Sequence, residues 1–342
     1  MPRDVMKSLS METLVESLRK VRENRLSQGY ILKDYEILCD IGRGGSAVVY
    51  MGRHQELKID VAIKEYFPAD SHIIRQNGTL RPGKPDLQDF FKDGFVRFCE
   101  EAKLLKSFRD CPNIVTYRDF FRANGTAYMV MEYVSESSLF RLLERREPSG
   151  YFFTEQELLA LIRSLLTGLT VVHESGVCHR DINPSNILVR DVDQTPILID
   201  FGAARHGNSQ HIESIAPCTE GYAAPEQVCQ GKIGSWTDIY AVGAVMWRVV
   251  AGGNPSFLPP NRQPSPILSR KRTSDLMQGH KDPMRSAREL GRGRFSDGLL
   301  QTIDDCLILN ASERVQNCSE LLDRLDKSER VAVRITDLPS TL

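Results

Sequence analysis

His179-Arg180-Asp181-Ile182-Asn183-Pro184-Ser185-Asn186, followed downstream by Asp200-Phe201-Gly202, is the stretch on which the reading of this chain turns. It sets one aspartate in a polar run, then an asparagine and a second aspartate close behind. A carboxylate such as Asp181 is suited to take a proton from a hydroxyl. Asn186 and Asp200 bring the oxygen donors that a hard divalent cation prefers. Upstream lie a glycine-rich turn, Gly42-Arg43-Gly44-Gly45-Ser46, and the run Val61-Ala62-Ile63-Lys64; downstream lies Ala224-Pro225-Glu226. Any one of these short strings recurs by chance, but the set in this order does not.

In that order the segments resemble the protein kinases, with their H-R-D-x-x-x-x-N and D-F-G pattern, and the resemblance covers Tyr30 to Leu325. It implies an α+β, bilobal kinase fold: a small β-rich lobe with one helix and a larger, mainly helical lobe. It implies ATP and Mg²⁺, and transfer of the γ-phosphoryl group to serine or threonine hydroxyls of protein substrates. Asp181 is then the expected base, and Asn186 and Asp200 the metal ligands. Lys64 is expected at the α and β phosphates, while Gly42 and Gly44 let backbone amides approach the phosphates with no side chain in the way. Val49, Ala62, Met131 and Leu188 would line the adenine pocket, with backbone groups of Glu132 and Val134 on the adenine edge. Arg180 is expected to meet a phosphorylated activation loop, Asp200 to Glu226, whose candidate phosphosites are Ser209, Ser214 and Thr219. The same resemblance pairs Glu226 with Arg314, sets Asp238 against the catalytic-loop backbone, and stacks His179 and Phe201 with Leu105 and Tyr117. The string Lys64-Glu65-Tyr66-Phe67-Pro68 looks like a group of bacterial serine/threonine kinases.

Periodicity places these residues on elements. Tyr30 to Tyr50 reads as two strands about the glycine-rich turn, and Asp60 to Lys64 as a third. Between Lys64 and the next helix, Asn77-Gly78 flanked by Ile73-Ile74 and Thr79-Leu80 predicts an inserted hairpin with a type I′ turn. Phe91, Phe95, Phe98, Ala102 and Leu105 trace one face of a helix, and Glu101 falls on it while Glu100 points about 100° away. A carboxylate on an apolar face needs a partner, and Lys64 is the expected one. Thr154 and Glu157 predict a capping box before a helix striped by Leu158, Leu161, Ile162, Leu165, Leu169 and Val172. Trp236 to Gly252 contains a helix apolar nearly all round, a central element. Gly253 to Phe295, rich in Pro, Arg and Ser, reads as mostly loop, and Leu299–Leu309 and Cys318–Leu325 as helices.

The 342 residues, 41% hydrophobic, suffice for a large core. Lys plus Arg (44) nearly balances Asp plus Glu (45), which gives no field pointing to nucleic acid. Eight cysteines without zinc-like spacing read as reduced thiols, and no apolar run is long enough for a transmembrane segment, so a cytoplasmic setting is expected, with export as an effector open. Met11, Leu14, Val15, Leu18 and Val21 share one helical stripe, which predicts an amphipathic N-terminal helix packed on the body of the enzyme, with a partner-binding or membrane-surface element as the alternative. The expected layout is a helical extension over 1–28, a small lobe over 29–131 with the inserted hairpin at 66–90, a large lobe over 132–329, and a tail over 330–342.

Two departures keep other readings open. Ala47 stands at the third glycine of the glycine-rich loop, and Asn183 stands where serine/threonine kinases usually carry a lysine, which removes a charge from beside the transferring group. An ATP-binding pseudokinase acting through partners is the first alternative. A small-molecule phosphotransferase is the second, against which Arg180 and Ala224-Pro225-Glu226 speak.

Overall fold

Alternating side chains along Tyr35–Arg43, Ala47–His54 and Asp60–Tyr66 put one residue in two on each face of an antiparallel sheet. The computed structural model describes residues 25–70, 72–135, 138–206, 219–252 and 264–336, with side chains through 330. The expected N-terminal helix and the candidate phosphosites Ser209 and Ser214 lie outside the described residues. The chain forms two compact units: one takes in residues up to Ser107 together with Thr116–Tyr133, the other Phe108–Val115 together with the chain from Val134.

The first unit holds strands β1 (Ile31–Leu32), β2 (Tyr35–Arg43), β3 (Ala47–His54), β4 (Asp60–Tyr66), β5 (Ile73–Gln76), β6 (Thr79–Pro82), β7 (Tyr117–Ala123) and β8 (Thr126–Glu132), and helix α1 (Gln88–Ser107). Six strands make one antiparallel sheet in the order β1-β2-β3-β4-β8-β7. β5 and β6 are the inserted hairpin, closed by Asn77 and Gly78 at φ 51° and 79° with Gln76 opposite Thr79, the geometry of a type I′ turn.

An antiparallel sheet can leave one face to water. This one is covered on both. Val61 and Ile63 point with Tyr50, Tyr128 and Val130 into a core closed by Phe67, by Ile73 and Leu80 of the hairpin, and by Leu26 and Leu32. Alternate residues face the other way, and there the Tyr66 ring packs against Phe91, Phe95 and Phe98 of α1 while its hydroxyl donates to the Phe91 carbonyl at 2.8 Å. A side chain at Gly94 would run into the Tyr66 hydroxyl, so the glycine permits the close approach of helix and strand. Full burial of a ring such as Phe98 contributes roughly 1.5–3 kcal/mol, and the partly buried Phe91 and Phe95 contribute less.

The second unit is mainly helical. α2 (Leu139–Arg146) is followed by α3 (Glu155–Glu174), which opens on the complete Thr154/Glu157 capping box and stops before Gly176 at φ 76°. Short strands β9 (Val177–Cys178), β10 (Ile187–Val189), β11 (Pro196–Leu198) and β12 (Arg205–His206) pair as β9 with β12 and β10 with β11. After α4 (Pro225–Val228), helix α5 (Ser235–Gly252) is buried on every side from Thr237 onward and forms the centre of the unit. The remaining helices are α6 (Ser269–Met277), α7 (Ala287–Gly291), α8 (Asp297–Cys306) and α9 (Cys318–Thr336). Helices α6 and α7 interrupt the stretch 253–295, expected to be mostly loop, within its described part. Composition argued for loop, but Ser286 and Glu289 cap α7 reciprocally, and buried Arg272 ties α6 to Asp282, the Tyr240 hydroxyl and the Leu307 carbonyl. α9 also runs past Leu325. Among the described residues no helix is long and apolar enough to cross a membrane.

Candidate functional site

Strand register puts Lys64 opposite Val49 and Ala62 opposite Met131, so these four share the face of the sheet that meets α1. Lys64 Nζ lies 2.6 Å from Glu101 Oε1, and the two residues are 7% and 6% exposed. An ion this deeply buried is costly without its counterpart, so each holds the other in place. Glu100, one residue away, is exposed. In the turn before β3, Gly44 N–H donates to the Ala47 carbonyl at 2.9 Å, and the amides of Phe67 and Ala69 donate to the Ser46 and Gly45 carbonyls. Gly44 and Gly45 have no positive φ, and a Cβ on either would meet nothing within 4 Å. At the end of β8 the Glu132 N–H is committed to the Thr116 carbonyl at 2.9 Å.

In the second unit, Val134 and Leu188 are half-buried. Arg180 and Asp200 both sit at positive φ, 69° and 63°, a region that costs a non-glycine residue of order 1 kcal/mol or more. The Arg180 peptide is held from both ends: its N–H donates to Asp238 Oδ1 at 2.8 Å and its carbonyl accepts from Gln227 Nε2 at 2.6 Å. Asp238, fully buried at the start of α5, also accepts from the His179 N–H at 2.8 Å and lies 2.8 Å from His173 Nε2 on α3. Burial pushes the Asp238 carboxyl up, and the His173 bond and charge outweigh it, leaving the group below its ordinary value. Burial likewise acts to lower His173, but bonds to Asp238 and Cys318 override it and raise the imidazole to about 9. His179 is entirely buried, edge-on to Phe201 with ring centroids 4.8 Å apart, and burial lowers its pKa.

The Asp181 carboxylate is fixed on both oxygens. Oδ1 accepts from the Thr219 hydroxyl at 2.8 Å and its N–H at 3.1 Å, and Oδ2 accepts from Asn186 Nδ2 at 2.8 Å. That donation, with a second to the Asp181 carbonyl at 2.9 Å, orients the Asn186 amide. Asn183, 2% exposed, donates to the Asp181 carbonyl and to Thr219 Oγ1 at 3.1 and 2.9 Å and accepts from Ser185 N–H at 2.9 Å. Asp200 is exposed and accepts from the Gly202 N–H at 3.2 Å. Glu226 is buried against Arg314 through bonds of 2.7 and 3.1 Å, with Thr237 Oγ1 donating to it at 2.9 Å.

Sequence reasoning missed two residues of this construction. His173 shares Asp238 with the backbone amides of His179 and Arg180, and nothing in the apolar stripe of α3 marked it. Glu65 is wholly buried beside Lys64, and its signal was present: a carboxylate in register with Val61 and Ile63 on an apolar face.

The family model described as protein kinase domain matches residues 35–324. Among curated proteins, the chain is 29% identical over 300 residues to serine/threonine-protein kinase pkn2 of Myxococcus xanthus, covering 85% of this chain and 32% of that protein. It is 28% identical over 302 residues to serine/threonine-protein kinase PknD of Mycobacterium tuberculosis, covering 86% of this chain and 40% of that protein. The chain therefore spans well under half the length of these two relatives. Among solved structures, "PpkA-294 apo form" superposes with a TM-score of 0.73 at 31% identity, covering 88% of this chain and 99% of that one.

Proposed function

The chain belongs to the protein kinase family, and from that premise we propose that it is an active serine/threonine protein kinase of bacterial type, phosphorylating protein substrates from ATP. The substrate hydroxyl gives its proton to Asp181 as its oxygen bonds to the γ-phosphorus; the bond from that phosphorus to the β-bridging oxygen breaks, and ADP leaves. Asn186 and Asp200 form an oxygen donor set that fits Mg²⁺, and the ion, when bound, neutralises charge on the phosphates. Lys64 steadies the α and β phosphates and Glu101 keeps Lys64 aimed. Val49, Ala62, Met131 and Leu188 contact the adenine, whose edge takes backbone groups of Val134 and the Glu132 carbonyl. Gly42 and Gly44 admit the phosphates, since a residue without a Cβ lets backbone amides approach them, and the space beside Gly44 is open. Arg180 receives a phosphate on Ser209 or Ser214. Thr219 is the weaker acceptor because its hydroxyl is engaged by Asp181 and Asn183. A cytoplasmic setting is part of the same proposal.

The observation that supports this most is the Asp181 carboxylate, held at both oxygens by Thr219 and Asn186 on a loop anchored to Asp238. Asn183 motivates the rival reading of an ATP-binding scaffold, and the intact set Lys64, Asp181, Asn186 and Asp200 weighs against it. The test is incorporation of label from radiolabelled ATP, followed by phosphosite mapping. Asp181→Asn is expected to lower turnover about 10²- to 10⁴-fold with nucleotide binding kept, because a base acts on the chemical step and does not hold ATP. Undiminished transfer in Asp181→Asn would remove the base assignment; no transfer by the wild type would favour the scaffold.

A further inference from the structure

Lys64 and Glu65 are neighbours on β4, so their side chains leave the strand on opposite faces. Lys64 goes to Glu101. Glu65 goes into the core between sheet and hairpin, with no exposure at all. There it accepts three hydrogen bonds: from Tyr50 Oη at 2.8 Å, from Tyr128 Oη at 2.6 Å and from Arg75 Nη2 at 2.6 Å. Each donor comes from a different element. Tyr50 is on β3 and Tyr128 on β8, the strands flanking β4, while Arg75 is on β5 of the inserted hairpin.

The donors are themselves held. The Leu26 N–H donates to Tyr50 Oη at 3.3 Å, Asn124 Nδ2 donates to Tyr128 Oη at 3.0 Å, and Arg75 Nη1 donates to the Gly78 carbonyl at 3.1 Å. Burial and the Glu65 charge push both tyrosine hydroxyls well above their ordinary value, so they remain protonated donors. The hairpin is seated on the sheet: Leu80 N–H donates to the Asn124 carbonyl at 2.7 Å, and a side chain at Gly125 would strike the Leu80 backbone.

A buried carboxylate met by three directional donors has one low-energy position, and it lies one peptide away from the ammonium that must stay on Glu101. We propose that Glu65 is a positioning residue for Lys64, and that the inserted hairpin, through Arg75, is an internal clamp that holds β4 where Lys64 reaches both Glu101 and a nucleotide. The amide of Leu26 reaches the same carboxylate through Tyr50. The inference deepens the kinase reading and rests on it for its nucleotide arm.

The test compares wild type, Arg75→Met and Arg75→Lys. Hydrogen exchange of the nucleotide-free proteins is followed in Asp60–Tyr66 and Gln88–Ser107, alongside the Kd for Mg·ADP and the Tm. Arg75→Met is expected to speed exchange in both segments and weaken Mg·ADP about tenfold, a typical size for coupling through a packed network, and Arg75→Lys to recover most of the loss. A lower Tm with exchange in Gln88–Ser107 and Mg·ADP affinity both unchanged makes the hub merely structural and overturns the proposal. Should Arg75→Met fail to fold, Tyr50→Phe and Tyr128→Phe keep the rings and remove one donor each; wild-type behaviour of both overturns it equally. If the wild type binds no Mg·ADP, the nucleotide reading fails, and exchange in Gln88–Ser107 alone decides the inference.

Discussion

Asn183 replaces a lysine usual in related kinases, and its contacts say what a neutral side chain does there. Its amide nitrogen donates to Thr219 Oγ1 and the Asp181 carbonyl, and its oxygen accepts from Ser185 N–H. It therefore keeps Thr219 against Asp181 but brings no charge to a transferring phosphate. Asn183→Ala should lower kcat about 10- to 100-fold while Mg·ADP affinity stays within about threefold, since a lost buried hydrogen-bond partner costs on the order of 1–3 kcal/mol and none of these bonds is to the nucleotide. Steady-state rates and calorimetry decide it. Equal losses in both would move Asn183 from orienting Asp181, the proposed base, to binding.

At the scale of elements, α1 and β4 meet through one ion pair and three aromatic rings around Tyr66. Because removing either ion strands the other, Lys64→Met with Glu101→Gln should cost much less than the sum of the single changes. Strict additivity in nucleotide affinity would dissolve the pair, and the same cycle with Glu100 should show little coupling. Helices α3 and α5 meet through His173 and Asp238. With the imidazole raised from 6.5 to about 9 in the folded chain, the folded state holds more protons than the unfolded one between those values. The stabilisation is complete below about pH 6.5 and lost as pH rises toward 9, on the order of 3 kcal/mol. Denaturant unfolding of wild type and His173→Gln across that range should show a clearly steeper fall with pH in the wild type. The hairpin turn was legible because Asn-Gly names its own backbone angles, and Glu101 because a lone carboxylate sat on an apolar stripe. The same argument applied to Glu65 would have found the buried hub. Helix α6 was not legible, since the Arg272 contacts that support it come from Tyr240, Asp282 and Leu307. Helix α7 was legible in principle, from the cap pair Ser286 and Glu289 amid misleading composition.

For the whole molecule, Glu226 and Arg314 join segments far apart in sequence. The Arg314 guanidinium also donates to the carbonyls of Trp236, Ile308 and Leu309. Arg314→Met leaves Glu226 buried and unpaired, a cost of about 3–5 kcal/mol, so a Tm lower by on the order of 10 °C is expected in thermal unfolding. Glu226→Leu with Arg314→Met should recover part of that loss, and a single change with no effect would show the pair to be solvated. The division of the chain has its own consequence during synthesis. Phe108–Val115 belongs to the second unit although the residues on either side belong to the first. Strand β4 lacks its β8 neighbour until Glu132 has left the ribosome, and Ile114 and Val115 await Leu198, against which they pair. Neither unit corresponds to one uninterrupted piece of nascent chain, so no single cut of the polypeptide yields both, and the pairing of Ile114 and Val115 closes only once Leu198 has been made.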